Sequence, residues 1–132
     1  MVKQSGSSPH APASVGGYRQ FVEAPPGARL LFVSGQIGET AAGEVPASGY
    51  EQCRLAWTNV LHQLAAAGYA ARHMVKATAF LISRDLVLPH QQARNEILGA
   101  QQPALSVVIV SGLADPRWCV EVEVVAAQSG AP

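Results

Sequence analysis

The stretch Trp118-Cys119-Val120-Glu121-Val122-Glu123-Val124-Val125-Ala126-Ala127 carries the plainest structural signal in the chain. Side chains alternate across a β-strand, so Trp118, Val120, Val122 and Val124 share one face while Glu121 and Glu123 share the other. A valine row backed by two carboxylates marks an inner strand with one packed face. Carboxylates are costly to bury unpaired. The two are therefore read as solvated or ion-paired, with Lys76 or Arg29 as partners.

Outward from that strand, Ala104 to Val110 reads as another, with Gly112 and Asp115-Pro116 marking the connection. Before it, Leu86 to Leu98 reads as a helix. Asp85 is its expected cap, Pro89 sits in its first turn, and Gly99 closes it. Leu86, His90, Ala93, Ile97 and Leu98 form its expected inward face. Met74 to Ser83 is β-rich and alternating. Tyr50 to Ala67 is a helix, since Cys53, Trp57, Val60, Leu61 and Leu64 recur at helical spacing. Ser48 with Glu51 fits a capping box, and Gly68 is a natural stop. Leu30 to Ser34 and Tyr18 to Glu23 read as two strands of a hairpin around Pro25-Pro26-Gly27, with Gly35 ending or bulging the later one. The order β-β-α-β-α-β-β predicts an α+β fold: a mixed sheet with both helices on one face. Residues 1–16, rich in Ser, Gly, Pro and Ala, are expected as a flexible arm, and 17–128 as a single domain.

Charge and composition exclude several classes. Nine basic residues balance nine acidic ones, and charged residues make up only 14% of the 132. A neutral chain with scattered basic residues lacks the electrostatic footprint of a nucleic-acid binder. With 48% apolar residues, global disorder is excluded. No apolar run approaches the ~20 residues that span a bilayer. Two cysteines make no disulfide framework, so a cytoplasmic location is the expectation. His10, His62, His73 and His90 share no metal-ligand spacing. Neither cysteine has a base partner in sequence, which leaves thiol chemistry unsupported.

Several short motifs fall in order on these elements: Gly16-Gly17-Tyr18, Val33-Ser34-Gly35-Gln36-Ile37, Thr58-Asn59-Val60, Val75-Lys76-Ala77-Thr78, Pro103-Ala104 and Val120-Glu121-Val122-Glu123. In them the chain resembles the RidA/YjgF family, older named endoribonuclease L-PSP-like, over about residues 10–127. The resemblance implies a chorismate-mutase-like fold and a homotrimer with small-molecule clefts between subunits. It also implies hydrolysis of reactive enamines and imines to keto acids and ammonia, without a metal or organic cofactor. Both faces of the sheet would then be covered, which accounts for the low charge.

The same resemblance places the site. Glu121 matches the acidic residue that positions or activates water. Tyr18 and the turn Ser34-Gly35-Gln36 match the cleft wall, and Gln91 falls near a polar helix position. Asn59, unfavourable inside a helix, reads as a structural hydrogen-bonder. In deaminating members an arginine after Pro-Ala clamps the substrate carboxylate; Leu105 stands there in this chain. Val107 stands where a cysteine is frequent. The face Leu105, Val107, Ile109 is apolar, which is the ordinary pattern of packing residues. A lost charged clamp removes ~1.5–3 kcal/mol of binding. Arg117 or Arg19 would have to supply a cation from elsewhere, although surface arginines usually stay solvated. Three functions remain open. One is a divergent hydrolase or deaminase of enamine-, imine- or carbonyl-type compounds, built on Glu121. The second is a non-catalytic metabolite-binding or regulatory trimer. The third, RNA cleavage, is disfavoured by the zero net charge. The ligand's identity is not legible in the sequence.

Overall fold

The structure, a computed structural model, describes residues 4–130. In chain order its elements are β1 (Gln4–Gly6), β2 (Phe21–Glu23), β3 (Arg29–Ile37), α1 (Gly49–Ala66), β4 (Met74–Leu81), α2 (Val87–Leu98), β5 (Ala104–Ile109) and β6 (Val120–Gln128). Short 3-10 turns at Ala71–His73 and Arg84–Leu86 lead into β4 and α2. Four strands form one sheet in the order β3-β6-β4-β5. β6 runs antiparallel to both β3 and β4, and β5 runs parallel to β4. The expected α+β class with a mixed sheet is therefore observed.

The inner strand decides where the core sits. Val120, Val122 and Val124 pair with Leu81, Ala79 and Ala77 of β4, and all six are buried. Cys53, Ala56, Trp57, Val60 and Leu64 of α1 complete that core. The small Ala77 and Ala79 leave room for the helix ridge carrying Trp57. Ser48 caps α1, its Oγ accepting the Glu51 N–H at 3.2 Å, and Gly68 follows the helix at φ +81°. Asn59 makes the structural bonds expected of it: Nδ2 donates to the carbonyls of Ile37 and Glu39, both at 2.9 Å. It thereby ties α1 to the end of β3.

Three expectations need correction. The strand expected at Tyr18–Glu23 is only Phe21–Glu23, and it does not form a hairpin with its successor. β2 pairs with β1, while β3 pairs along β6. Pro25 and Pro26 remove backbone donors beside the turn, and the nine residues of β3 find a longer ladder on β6. The expected arm accordingly carries β1; residues 1–3 lie outside the described residues. Asp85 does not cap α2. Ser83 Oγ instead accepts the Asp85 N–H at 3.2 Å, so α2 is entered through the 3-10 turn without a side-chain cap. Finally, Arg94 joins His90, Ala93 and Leu98 as a buried residue of α2.

The face of the sheet away from the helices stays open. Leu30 and Phe32 of β3 are 53% and 72% exposed there. Lys76, Thr78 and Phe80 of β4 share it with Glu121, Glu123 and Val125. Among the described residues no helix is long and apolar enough to cross a membrane.

Candidate functional site

The candidate residues fall into two clusters, on opposite faces of the sheet. The first gathers where α2 leaves the edge strand β5 partly uncovered. Leu105 and Val107 pair in register with Ala77 and Ala79, which places them on the helix-covered side. Leu105 is buried, as a packing residue would be, whereas Val107 and Ile109 are 37% and 41% exposed. Leu105 and Val107 line a cleft of about 520 Å³ together with Tyr18, His90, Gln91 and Arg94. Tyr18 is carried there by the Gly16-Gly17 turn, whose φ values of +99° and +88° suit glycine alone. The Arg19 N–H donates to the Pro103 carbonyl at 3.1 Å and holds this segment against the start of β5.

The second cluster surrounds the bulge in β3. Pairing with β6 shifts register between Val33 and Gln36, so Ser34 and Gly35 lie outside the ladder. The expected bulge at Gly35 is present, and it has a reason. A Cβ at Gly35 would stand 2.6 Å from the carboxyl carbon of Glu121, so the glutamate side chain lies directly over the glycine. Glu121 is half-buried and pairs with Phe80 and Ile37, on the open face of the sheet. Ser34 is exposed. Gln36 turns the other way: its Nε2 donates to the Ser34 carbonyl at 3.0 Å and its Oε1 accepts from Gln63 at 3.4 Å. It braces the bulge from the α1 side.

The ion pairs considered for the glutamates do not form among the described residues. Lys76 Nζ instead donates to Ser106 Oγ at 2.7 Å, and the Arg29 guanidinium lies 5.9 Å over the Tyr69 ring. Nor does either expected substitute cation reach the cleft. Arg117 is held by Asp115, with contacts of 2.9 and 3.1 Å, and by Glu39 at 3.6 Å. Arg19 donates to the Gln102 carbonyl at 3.0 Å and to Ser5 Oγ at 3.1 Å.

The cation that does reach the cleft, Arg94, was not among the expected residues. Its Nε donates to Gln102 Oε1 at 3.0 Å, and its Nη2 donates to the Gly16 carbonyl and to Asn95 Oδ1. Its guanidinium lies 6.0 Å over the Tyr18 ring. Burial pulls its pKa down, partly offset by Tyr18. The clue lay in the spacing: Arg94 falls midway between His90 and Leu98 on the expected inward row of α2.

His90 is also buried at the base of the cleft. The Trp57 indole N–H donates to His90 Nε2 at 3.0 Å. An indole nitrogen only donates, so Nε2 keeps its lone pair and the ring is neutral. Burial, with the nearby Arg94 charge, brings the His90 pKa down to about 4. Burial likewise pushes the Cys53 thiol up to about 12, with Cys119 adding to it. Among the described residues no three His, Cys, Asp or Glu are grouped to hold a metal ion.

The family model for endoribonuclease L-PSP matches residues 8–128. The chain belongs to that family. A 2-iminobutanoate/2-iminopropanoate deaminase of Capra hircus is 31% identical over 131 residues, covering 97% of this chain and 92% of its own. A RutC family protein of Pyrococcus horikoshii is 30% identical, with 89% and 91% covered. Among solved structures, E. coli TdcF with bound serine aligns with a TM-score of 0.71 at 29% identity, covering 96% of this chain and all of its own. The Rid family protein YyfB of Yersinia pestis aligns with a TM-score of 0.86 over 97% of this chain and all of its own; at 24% identity it shows the fold alone.

Proposed function

We propose that the protein binds a small metabolite in clefts between the subunits of a chorismate-mutase-like homotrimer. In each cleft the Tyr18, Leu105 and Val107 wall of one protomer would meet the Ser34, Gly35 and Glu121 wall of its neighbour. One observation carries this reading: Glu121 and Leu105 lie on opposite faces of one sheet, and Glu121 is not part of the cleft that Leu105 lines within one chain. The exposed Leu30 and Phe32 support it, because they leave apolar surface on the open face for a second copy to cover. Bound serine in TdcF supports a small-molecule ligand.

The chemistry to test first is hydrolysis of an enamine, imine or carbonyl compound without a cofactor. The deaminase relatives and the Glu121 carboxylate over the Gly35 bulge favour it. Glu121 would act as the general base on water. Imino acids generated in situ by an amino-acid oxidase, with ammonia followed, provide the assay. Loss of release in Glu121→Ala is expected, and equal rates would remove Glu121 from the mechanism. The non-catalytic reading rests on Leu105, which offers neither charge nor donor where deaminating members carry an arginine. It is the answer if metabolites raise the melting temperature while no ammonia forms.

A further inference from the structure

Arg94 is 2% exposed, yet no carboxylate pairs with it among the described residues. Its bonded acceptors are neutral: two side-chain amides and a backbone carbonyl. A buried cation without a counter-charge is costly and ordinarily has an anion close by. Among the described residues Nη1 has no hydrogen-bond partner, whereas no fully buried side-chain nitrogen there lacks one. Nη1 therefore opens on solvent, and Arg94 lines the cleft beneath Tyr18. Within one protomer that cleft has no acidic residue in its wall, and Leu105 and Val107 lie on its apolar side.

We propose that Arg94, projecting from α2, is the anion anchor of the cleft, and that the ligand is a small carboxylate whose apolar body rests on Leu105 and Val107. Nη1 donates to the carboxylate, while the bonds from Nε and Nη2 to Gln102, Gly16 and Asn95 hold the guanidinium in place. The positive charge thus comes from the helix, and Leu105 and Val107 of the strand supply apolar surface. This selects carboxylates with a short aliphatic chain over strongly polar ones. The inference rests on the reading of the cleft as a small-molecule site.

The probe is 3-methylbutanoate, with 3-methylbutanamide as its neutral counterpart of equal shape, titrated calorimetrically into the full-length protein. The carboxylate is expected to bind at least tenfold more tightly than the amide. Arg94→Gln should remove that preference, and Val107→Trp should block both probes by filling the cleft. Because Arg94 also secures Gly16 and Gln102, Val107→Asp serves as a second variant. It leaves every Arg94 bond in place but puts a resident carboxylate in the cleft, and it should abolish 3-methylbutanoate binding. Equal affinity for the two probes, both lost in Val107→Trp, would overturn the anchor while leaving the cleft a ligand site. No binding of the carboxylate to the folded protein, or binding indifferent to Val107→Trp, would also overturn it.

Discussion

Acid should destabilise this protein through one buried ring. His90 accepts the Trp57 indole proton and has its pKa lowered from 6.5 to about 4, by burial first and by the Arg94 charge second. The unfolded chain therefore binds a proton near pH 6.5 that the folded chain refuses until about pH 4. Stability from this group is complete above the unfolded value and falls as the pH drops towards the folded one. The full loss is about 3 kcal/mol below pH 4, and about 2 kcal/mol of it arises between pH 7 and pH 5. Other carboxylates such as Glu96 and Asp115 also titrate in acid, but their contribution is common to any variant that leaves them alone. The clean measurement is a difference. Urea unfolding at pH 7 and pH 5, at one protomer concentration, compares wild type with His90→Gln, which keeps an acceptor for Trp57 and cannot titrate. Wild type should lose about 2 kcal/mol more than the variant over that interval. Parallel losses would mean that His90 is protonated in the folded protein, and the bond from Trp57 would then be misassigned.

Two further outcomes follow from the site and the core. Gly35→Ala places a methyl group against the Glu121 side chain, which must swing aside; a cost of about 1–2 kcal/mol is expected, with a drop in any Glu121-dependent ammonia release. An unchanged urea midpoint would show that the close approach has no consequence. Cys53, fully buried with its pKa pushed up to about 12, should resist iodoacetamide at pH 8 in the native state and react on unfolding, as read by intact mass. Alkylation of Cys53 at the rate of a free thiol would refute that.

Much of this protein is legible in its sequence because the relevant physics is local. The alternation of Val120, Glu121, Val122 and Glu123 assigns each side chain to a face before any partner is known. Ser48 and Gly68 bound α1 through bonds and dihedral angles within a turn or two of the chain. Gly35 marks the bulge. The element order from β2 onward, the mixed α+β class and the structural role of Asn59 follow from such signals.

The features settled by tertiary packing involve residues far apart in the chain. Sequence proximity favours pairing β2 with β3, yet β3 gains a longer ladder on β6 across more than eighty intervening residues, and β2 is left to β1. Arg94 sits on a row that periodicity marks as buried, but a lone arginine there reads as solvated. Its acceptors on Gly16 and Gln102 appear only once the chain folds back over β5. The division of the site has the same origin. The family resemblance assigns Glu121 and Leu105 their places one at a time, but strand pairing sets them on opposite faces. Periodicity determines which side chains share a face of one strand; how strands are ordered and which way they face one another is settled by long-range packing.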